Sequence, residues 1–219
     1  MLLVHLKLIT LWGNSMKNFL LFISFILAML PAVANPVGYL DNQLIIQTEK
    51  QAIVQWIEDT TRGKVSEHKA KKIVDNVYAY AEKHEVDPVL VLAMMKNEST
   101  FNEKAVSREG ARGLLQVIPK YHKDKLKGRN PHDVVVSIDA GIQVLKEYLA
   151  DNGNNVRHAL HKYSGGGGQR YIKKIAGTHK EISTAIIEYS FVNERPIAVK
   201  YSFNKPIHVS DKVVVAYRN

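Results

Sequence analysis

Apolar side chains recur every three or four positions along most of the middle of the chain, and this period predicts helices. The clearest repeat covers residues 66–83, and a weaker one covers residues 47–60. Asp87 and Pro88 then supply an N-cap and a first-turn proline for a helix that ends near Ser99. Because that helix is apolar nearly all round, we expect it to be buried between other elements.

Glycine and proline interrupt the pattern further along, so residues 100–134 are predicted to be irregular. Two helices are predicted after them, at residues 137–150 and 155–163, followed by a short helix at 169–176. Residues 35–46 have no clear period and are predicted to be a loose segment.

The C-terminal part of the chain alternates in the manner of strands from residue 184 to residue 217. Ile197, Val199, Tyr201 and Phe203 fall on one side of this alternation. We expect two or three short strands, with the prolines at 196 and 206 at strand ends or edges. The predicted fold class is therefore mainly α (α+β), with a small C-terminal β-strand extension.

The N-terminal residues 1–34 have the pattern of a secretory signal peptide, and Met16 is a possible true start. Lys17 precedes an apolar run at 19–30, and Ala-Val-Ala at 32–34 is a small-residue cleavage site. The run is shorter than the ~20 residues that span a bilayer, and an uncleaved anchor is the alternative. We expect an exported protein, periplasmic or secreted, with no membrane association after cleavage.

Composition narrows the possible chemistry. The chain has no cysteine, which excludes disulfides and thiol catalysis. Its net charge is +9, or +7 without residues 1–34, so after export it could meet an anionic wall or membrane surface, or simply be soluble. No segment resembles a nucleic-acid-binding module, and we expect no nucleic-acid partner.

Glu98 is the first candidate for catalysis, because it follows the apolar helix at 88–99. Helical spacing places Glu98 on the same face as Val91, Met94 and Met95. Apolar neighbours and the partial negative charge of the helix C-terminus both raise the pKa of a carboxyl group there. A carboxyl with a raised pKa is a useful general acid at neutral pH. The alternative is an ordinary solvent-facing glutamate at a helix end.

The residues after Glu98 contain ordered motifs: ES at 98–99, FN at 101–102, AVS at 105–107 and GARGLLQVIP at 110–119. Further segments follow, DAGIQVLKEYL at 139–149 and ALHKYSGGGGQRYIKKI at 159–175. Over about residues 65–177 the chain resembles the soluble lytic transglycosylases, whose catalytic domain is similar to goose-type lysozyme.

The chain departs from the family pattern at four positions. Ser164 follows Tyr163 where the family has asparagine, which puts a sugar contact in doubt. Leu115 and Ile118 replace methionines and conserve side-chain volume. Ser137 stands where the family usually has asparagine. None of these changes removes the glutamate.

The residue pattern and the resemblance together predict a domain organisation. Residues 1–34 would be the signal peptide and 35–64 an N-terminal helical lead-in. Residues 65–177 would be the lysozyme-like transglycosylase domain, and 178–219 a β-rich C-terminal extension.

The resemblance also implies a reaction. These enzymes cleave the β-1,4 bond between N-acetylmuramic acid and N-acetylglucosamine in peptidoglycan without water, leaving a 1,6-anhydro ring. Glu98 would act as the single general acid and base. Most glycosidases pair two carboxylates, and none of the other nearby acids lies in a recognisable second-carboxylate motif: Glu103, Glu109, Asp124, Asp133 and Asp139. A hydrolytic muramidase on the same fold is the alternative.

By the same resemblance Ser107 and Gln116 would bind substrate near the acid, and Tyr163 would hydrogen-bond or orient Glu98. The main chain around Ile118 would line the cleft. The full set of expected substrate-binding residues is Ser99, Ser107, Gln116, Ile118, Tyr163 and Ser164. The alternatives are hydrogen bonding within the loop for Ser107 and Gln116, and a core aromatic for Tyr163.

Other features carry weaker signals. The glycine run at 165–168 is not a phosphate loop, because Gln169 and Arg170 follow it; a tight turn beside a sugar or a flexible linker fits it. His158 and His161 lack a partner motif for metal, so we expect no metal and no cofactor.

The expected partner is peptidoglycan glycan strands. Envelope secretion or conjugation machinery could also bind through residues 181–219, which the resemblance does not need. A third interpretation is therefore a weakly active, wall-binding component of an envelope-spanning assembly.

Overall fold

The computed structural model describes the backbone of residues 36–195, 197–198 and 215–216, and the side chains of residues 42–195. The chain divides into two compact units, residues 1–42 and 43–219. Of the first unit, only residues 36–42 are described, and they are helical. The predicted signal peptide and its cleavage point lie outside the described residues.

The described part of the chain is mainly helical, as predicted. The elements in chain order are α1 Pro36–Thr61, α2 Glu67–His84, α3 Pro88–Glu98, α4 Lys123–Leu126, α5 Val134–Ala150, α6 Val156–Tyr163, α7 Gly168–Val192, β1 Ile197–Ala198 and β2 Val215–Ala216.

The predicted starts of three helices are confirmed, two of them with a capping hydrogen bond from the N-cap side chain. Ser66 is the N-cap of α2, and the Asp87 carboxylate accepts the backbone N–H of Val89 at 2.8 Å to cap α3. Asn155 caps α6 in the same way. The predicted irregular segment 100–134 contains only short regular pieces, α4 and two isolated β-bridges.

The predicted loose segment at 35–46 is wrong, because α1 begins at Pro36. Its buried positions include Ile45, Thr48 and Glu49, which recur at helical spacing. Two of these three residues are polar, so the sequence of this segment does not show the repeat of apolar residues that predicts a helix. The Tyr78 hydroxyl donates to the Glu49 carboxylate at 3.1 Å, which compensates its burial.

The predicted short helix at 169–176 and the predicted strand pattern from residue 184 are also corrected, because α7 continues to Val192. Its buried positions, among them Ile175, His179, Ile182 and Ile186, recur every three or four residues. Packing of this face outweighs the strand preference of the β-branched residues.

A two-stranded antiparallel pairing follows α7, with Ile197 opposite Ala216 and Ala198 opposite Val215. The other predicted strand positions, Val199, Tyr201 and Phe203, and the prolines at 196 and 206 lie outside the described residues.

Helix α3 lies at the centre of the core. Every residue at 89–95 is buried, as its apolar sequence predicts. The helix packs against α2 and α7, while α5 packs against α2 and α6. His179 Nε2 lies 2.9 Å from the Asp87 carboxylate, and Asn97 donates to Thr178 Oγ1 at 3.0 Å, so polar contacts also hold α7 on α3.

Across the helices that the structure describes, none is both long and apolar enough to cross a membrane.

Candidate active site

Glu98, the last residue of α3, lines a cleft of about 730 Å³. The cleft lies between the end of α3, the loop at 107–122, α5, α6 and the first turn of α7. Its lining includes tyrosines at 121, 148, 163 and 171 and bare backbone at Gly165 and Gly167. This mixture of aromatic and polar groups around one carboxylate is typical of a ligand site.

Tyr171 holds the Glu98 carboxyl in place: its hydroxyl donates to Glu98 Oε1 at 2.5 Å. Burial raises the pKa of Glu98, and the hydrogen bond from Tyr171 offsets part of that rise. The predicted direction of the shift is therefore confirmed, with burial as its main cause. Burial and the nearby negative charge also raise the pKa of Tyr171, so its hydroxyl keeps the proton that it donates.

Tyr163 does not make the predicted hydrogen bond to Glu98. Its hydroxyl donates to the Leu115 carbonyl oxygen at 2.7 Å, and its ring packs edge-on against Tyr148 with centroids 6.1 Å apart. Burial first, and the Glu98 charge second, raise the pKa of Tyr163. Tyr163 lines the cleft, but its hydroxyl donates to a main-chain carbonyl oxygen and so holds the loop after α3 in place.

The loop at 99–118 is held by side chains that were expected to bind substrate. Ser107 Oγ accepts the backbone N–H groups of Glu109 and Ala111. Gln116 Nε2 donates to the carbonyl oxygens of Gly113 and Ala105, at 2.9 and 3.2 Å. The alternative interpretation, hydrogen bonding within the loop, therefore describes both side chains. Ser107 and Gln116 also line the cleft, so their contact with substrate stays a prediction.

Of the other expected substrate-binding residues, one lies outside the cleft lining and two belong to it. Ser99 is not part of the cleft lining; its hydroxyl donates to the Leu114 carbonyl oxygen at 2.8 Å and ties the loop to the end of α3. Ile118 and Ser164 both line the cleft. Ser164 Oγ accepts the Gly167 N–H at 2.9 Å, which forms the predicted tight turn within the glycine run.

The loop at 99–118 packs directly against α5, because a glycine in the loop and a glycine in α5 leave room for this contact. A Cβ on Gly113 would lie 2.2 Å from the Pro131 carbonyl oxygen, and Gly113 also has a φ of +77°. A Cβ on Gly141 would lie 2.4 Å from Leu115 Cδ1. Ser137 is buried and accepts the Leu115 N–H at 3.4 Å, so this departure from the family pattern still supports the loop.

The chain turns sharply beside the carboxylate. Thr100 and Phe101 both have left-handed backbone conformations, with φ of +50° and +59°, and Gln116 has φ of +47°. Phe101 is fully buried, with its ring edge-on to Trp56 at 6.1 Å between centroids. Such conformations persist only where packing enforces them, and they cluster at functional sites.

Among the described residues, two carboxylates line the cleft, Glu98 and the exposed Glu109. The other acids considered as second carboxylates are engaged elsewhere: Glu103 with Lys69, Asp124 with Lys125, Asp133 as the cap of α5, and Asp139 with Arg129 and Gln143.

No group of three His, Cys, Asp or Glu side chains that could hold a metal ion occurs in the described part of the chain.

Sequence reasoning missed the role of Tyr171, although the segment YIKKI that contains it was recognised as a motif. A tyrosine in a helix is usually a core aromatic, and 73 residues separate it from Glu98. Tyr121 was also missed; it is 67% exposed at the cleft. No local pattern distinguishes these tyrosines from others in the chain.

The family model described as Transglycosylase SLT domain matches residues 75–185, half of the chain. A membrane-bound lytic murein transglycosylase C of Mannheimia succiniciproducens is 35% identical over 117 residues, covering 46% of this chain and 33% of that protein. The enzyme of the same name from Pectobacterium atrosepticum is 33% identical over 136 residues, covering 54% and 38%. The chain thus spans about a third of the length of these relatives.

Among solved structures, the 70-kDa soluble lytic transglycosylase of Escherichia coli is similar with a TM-score of 0.43 and 20% identity. The match covers 70% of this chain and 30% of that one.

Proposed function

Because the chain belongs to the transglycosylase SLT domain family, we propose that it is a lytic transglycosylase that cleaves peptidoglycan. The observation that carries this proposal is the Glu98 carboxyl, which lies in the cleft with a raised pKa and a hydrogen bond from Tyr171. Its target would be the β-1,4 bond between N-acetylmuramic acid and N-acetylglucosamine.

Glu98 serves both proton transfers in the proposed reaction. Protonated Glu98 gives its proton to the glycosidic oxygen as the C1–O bond breaks. The muramic acid C6 hydroxyl attacks C1, and the Glu98 carboxylate takes the hydroxyl proton. The products are an N-acetylglucosamine hydroxyl and a 1,6-anhydro ring, so no water is consumed and the carboxyl returns to its starting state.

The raised pKa supports the first step, because it keeps more of the carboxyl protonated near neutral pH. Tyr171 supports the second step, because its hydrogen bond stabilises the carboxylate that receives the C6 hydroxyl proton. Tyr171 is therefore proposed to set the balance between the two protonation states.

We expect the variant Tyr171→Phe to move the high-pH limb of the pH–rate profile to higher pH. Activity needs protonated Glu98, so it falls as pH rises through the Glu98 pKa. Removing a hydrogen bond that favours the carboxylate raises that pKa. The measurement is kcat/KM against pH. Tyr163→Phe is the matched control, because Tyr163 donates to main chain and its loss should leave the limb in place. A limb that stays in place or moves down in Tyr171→Phe contradicts this role.

A hydrolytic muramidase is the second candidate, and Glu109 is the observation that favours it. Hydrolysis with inversion uses a second carboxylate to activate water, and Glu109 is the other acid that lines the cleft in the described chain. Its exposed side chain and its place in a loop argue for the single-acid reaction, because an exposed carboxylate is not fixed against the sugar.

The proposed location is the cell envelope, where peptidoglycan lies, with export through the predicted signal peptide. Docking to secretion or conjugation machinery through residues 181–219 remains a prediction. Because Ile182 and Ile186 are buried in α7, a deletion that tests docking should begin after Val192. Unchanged localisation, partner binding and activity without residues 193–219 would contradict docking by that segment.

The direct test is incubation of the purified protein with purified peptidoglycan, followed by measurement of soluble fragments. Steady release of muropeptides is expected. Peptidoglycan that stays insoluble with folded protein would contradict the proposed activity.

A further inference from the structure

Three cations near the start of α7 stand beside the cleft: Arg170, Lys173 and Lys174. Arg170 and Lys174 line the cleft that contains Glu98. Together with Lys173 and Gln169, they also line an adjoining depression of about 440 Å³. The depression therefore lies next to the cleft, and two side chains line both.

Some cations elsewhere on the fold are held in ion pairs, such as Lys50 with Asp75, Lys125 with Glu147, Arg129 with Asp139 and Lys162 with Asp151. Within residues 42–195, by contrast, Arg170, Lys173 and Lys174 take part in no ion pair, and no acid lines their depression.

The spacing of the three cations is unfavourable unless an anion binds there. Residues 173 and 174 lie three and four positions after Arg170, so all three project from neighbouring positions of one helix. Like charges at this spacing repel one another and weaken a helix slightly. An anionic ligand removes this repulsion, and the Arg170 guanidinium can bind a carboxylate with two parallel hydrogen bonds.

We propose that Arg170, Lys173 and Lys174 bind the carboxylates of the peptide stem attached to the glycan strand in the cleft. This inference rests on the proposed function, which places a glycan strand beside Glu98. The sugar rings of such a strand are neutral, so negative charge on it would lie on a branch that reaches the depression. The muramic acid sugars carry such branches, short peptides with free carboxylates, attached through their lactyl groups.

The test compares labelled glycan strands with free stem carboxylates and the same strands after those carboxylates are converted to amides. Amidation removes the negative charge and keeps the peptide. Binding is measured by fluorescence anisotropy with Glu98→Gln protein, so that the strands stay intact. We expect tighter binding of the free-acid strands, and we expect the added triple change Arg170→Gln, Lys173→Gln and Lys174→Gln to weaken it roughly tenfold. Binding of the amidated strands should weaken much less.

The matched control is Lys180→Gln, an exposed cation on the same helix that lines neither the cleft nor the depression. It should leave both affinities unchanged. Charge reversal with Lys173→Glu should weaken free-acid binding more than Lys173→Gln, which a purely steric role would not produce. Thermal unfolding checks that each variant is folded.

Equal affinity for the two kinds of strand would overturn the inference, as would an equal loss on both in the triple variant. The proposed function is tested separately, by release of products from the free-acid strands with the wild-type protein. Wild-type protein that binds free-acid strands selectively but releases nothing would contradict the proposed activity and keep the stem-binding inference.

Discussion

Glu98→Gln is expected to lower the rate of muropeptide release by roughly 10²–10⁴, because the variant has no proton to give and no carboxylate to receive one. The substitution keeps the size of the side chain and an oxygen that can accept from Tyr171, so the cleft should keep its form. The measurement is the initial rate of release from purified peptidoglycan. A variant with more than a tenth of the wild-type rate would contradict the assignment.

Glu109→Gln is the matched control for this experiment, since it is the same substitution on the other acid of the cleft. In the single-acid reaction it should change the rate by less than a few-fold. If both variants lost activity to the same degree, the hydrolytic two-carboxylate mechanism would be favoured instead.

Glu98→Gln should also unfold at a temperature equal to or above that of the wild type near neutral pH. The folded-state pKa of Glu98 lies above its ordinary value, so the ionised carboxyl disfavours folding at higher pH. That cost disappears as pH falls below the ordinary pKa of glutamate, and the two unfolding temperatures should then converge. This readout distinguishes a lost catalytic group from a damaged fold.

Of the single substitutions proposed in and around the cleft, Gly113→Ala is expected to cause the largest loss of stability. The new Cβ would meet the Pro131 carbonyl oxygen at 2.2 Å and the Ser137 hydroxyl at 2.5 Å, and alanine would be strained at a φ of +77°. We expect a decrease in the free energy of unfolding of about 3–5 kcal/mol, typical of overpacking combined with backbone strain. Thermal or denaturant unfolding measures it.

Gly110→Ala separates the two causes. Gly110 lies in the same loop with a φ of +82°, but a Cβ there would meet no atom within 4 Å. Only the backbone strain applies, so the expected loss is about 1–2 kcal/mol. If Gly113→Ala were no more destabilising than Gly110→Ala, the close packing around Gly113 would not explain why a glycine is needed there.

The sequence predicts the helical core well, because local signals and burial agree there. Asp87 and Pro88 mark the start of α3 by capping chemistry alone, and the apolar run after them matches a fully buried helix. Where local signals and packing disagree, the prediction fails. The second half of α7 contains Ile182, Thr184 and Ile186, whose β-branched side chains favour strands, but Ile182 and Ile186 are buried on one face of a helix.

In the candidate site, the sequence predicts the proposed catalytic carboxylate better than the residues around it. Glu98 combines an apolar helix with a glycine-rich loop directly after it, and both signals are local. The contact between Tyr171 and Glu98 joins the start of α7 to the end of α3. That contact depends on how two distant helices pack, so neither sequence segment contains it. The choice between Tyr163 and Tyr171 as the partner of Glu98 therefore required the structure.

The central claim is that Glu98 directs cleavage without water, and the mass of the products tests it most directly. Purified peptidoglycan would be digested with the wild-type protein, and the soluble muropeptides analysed by mass spectrometry. The account predicts 1,6-anhydro ends, lighter by one water than the corresponding reducing ends, and none of these products from Glu98→Gln. Reducing-end products from the wild-type protein would contradict the account and identify a hydrolase.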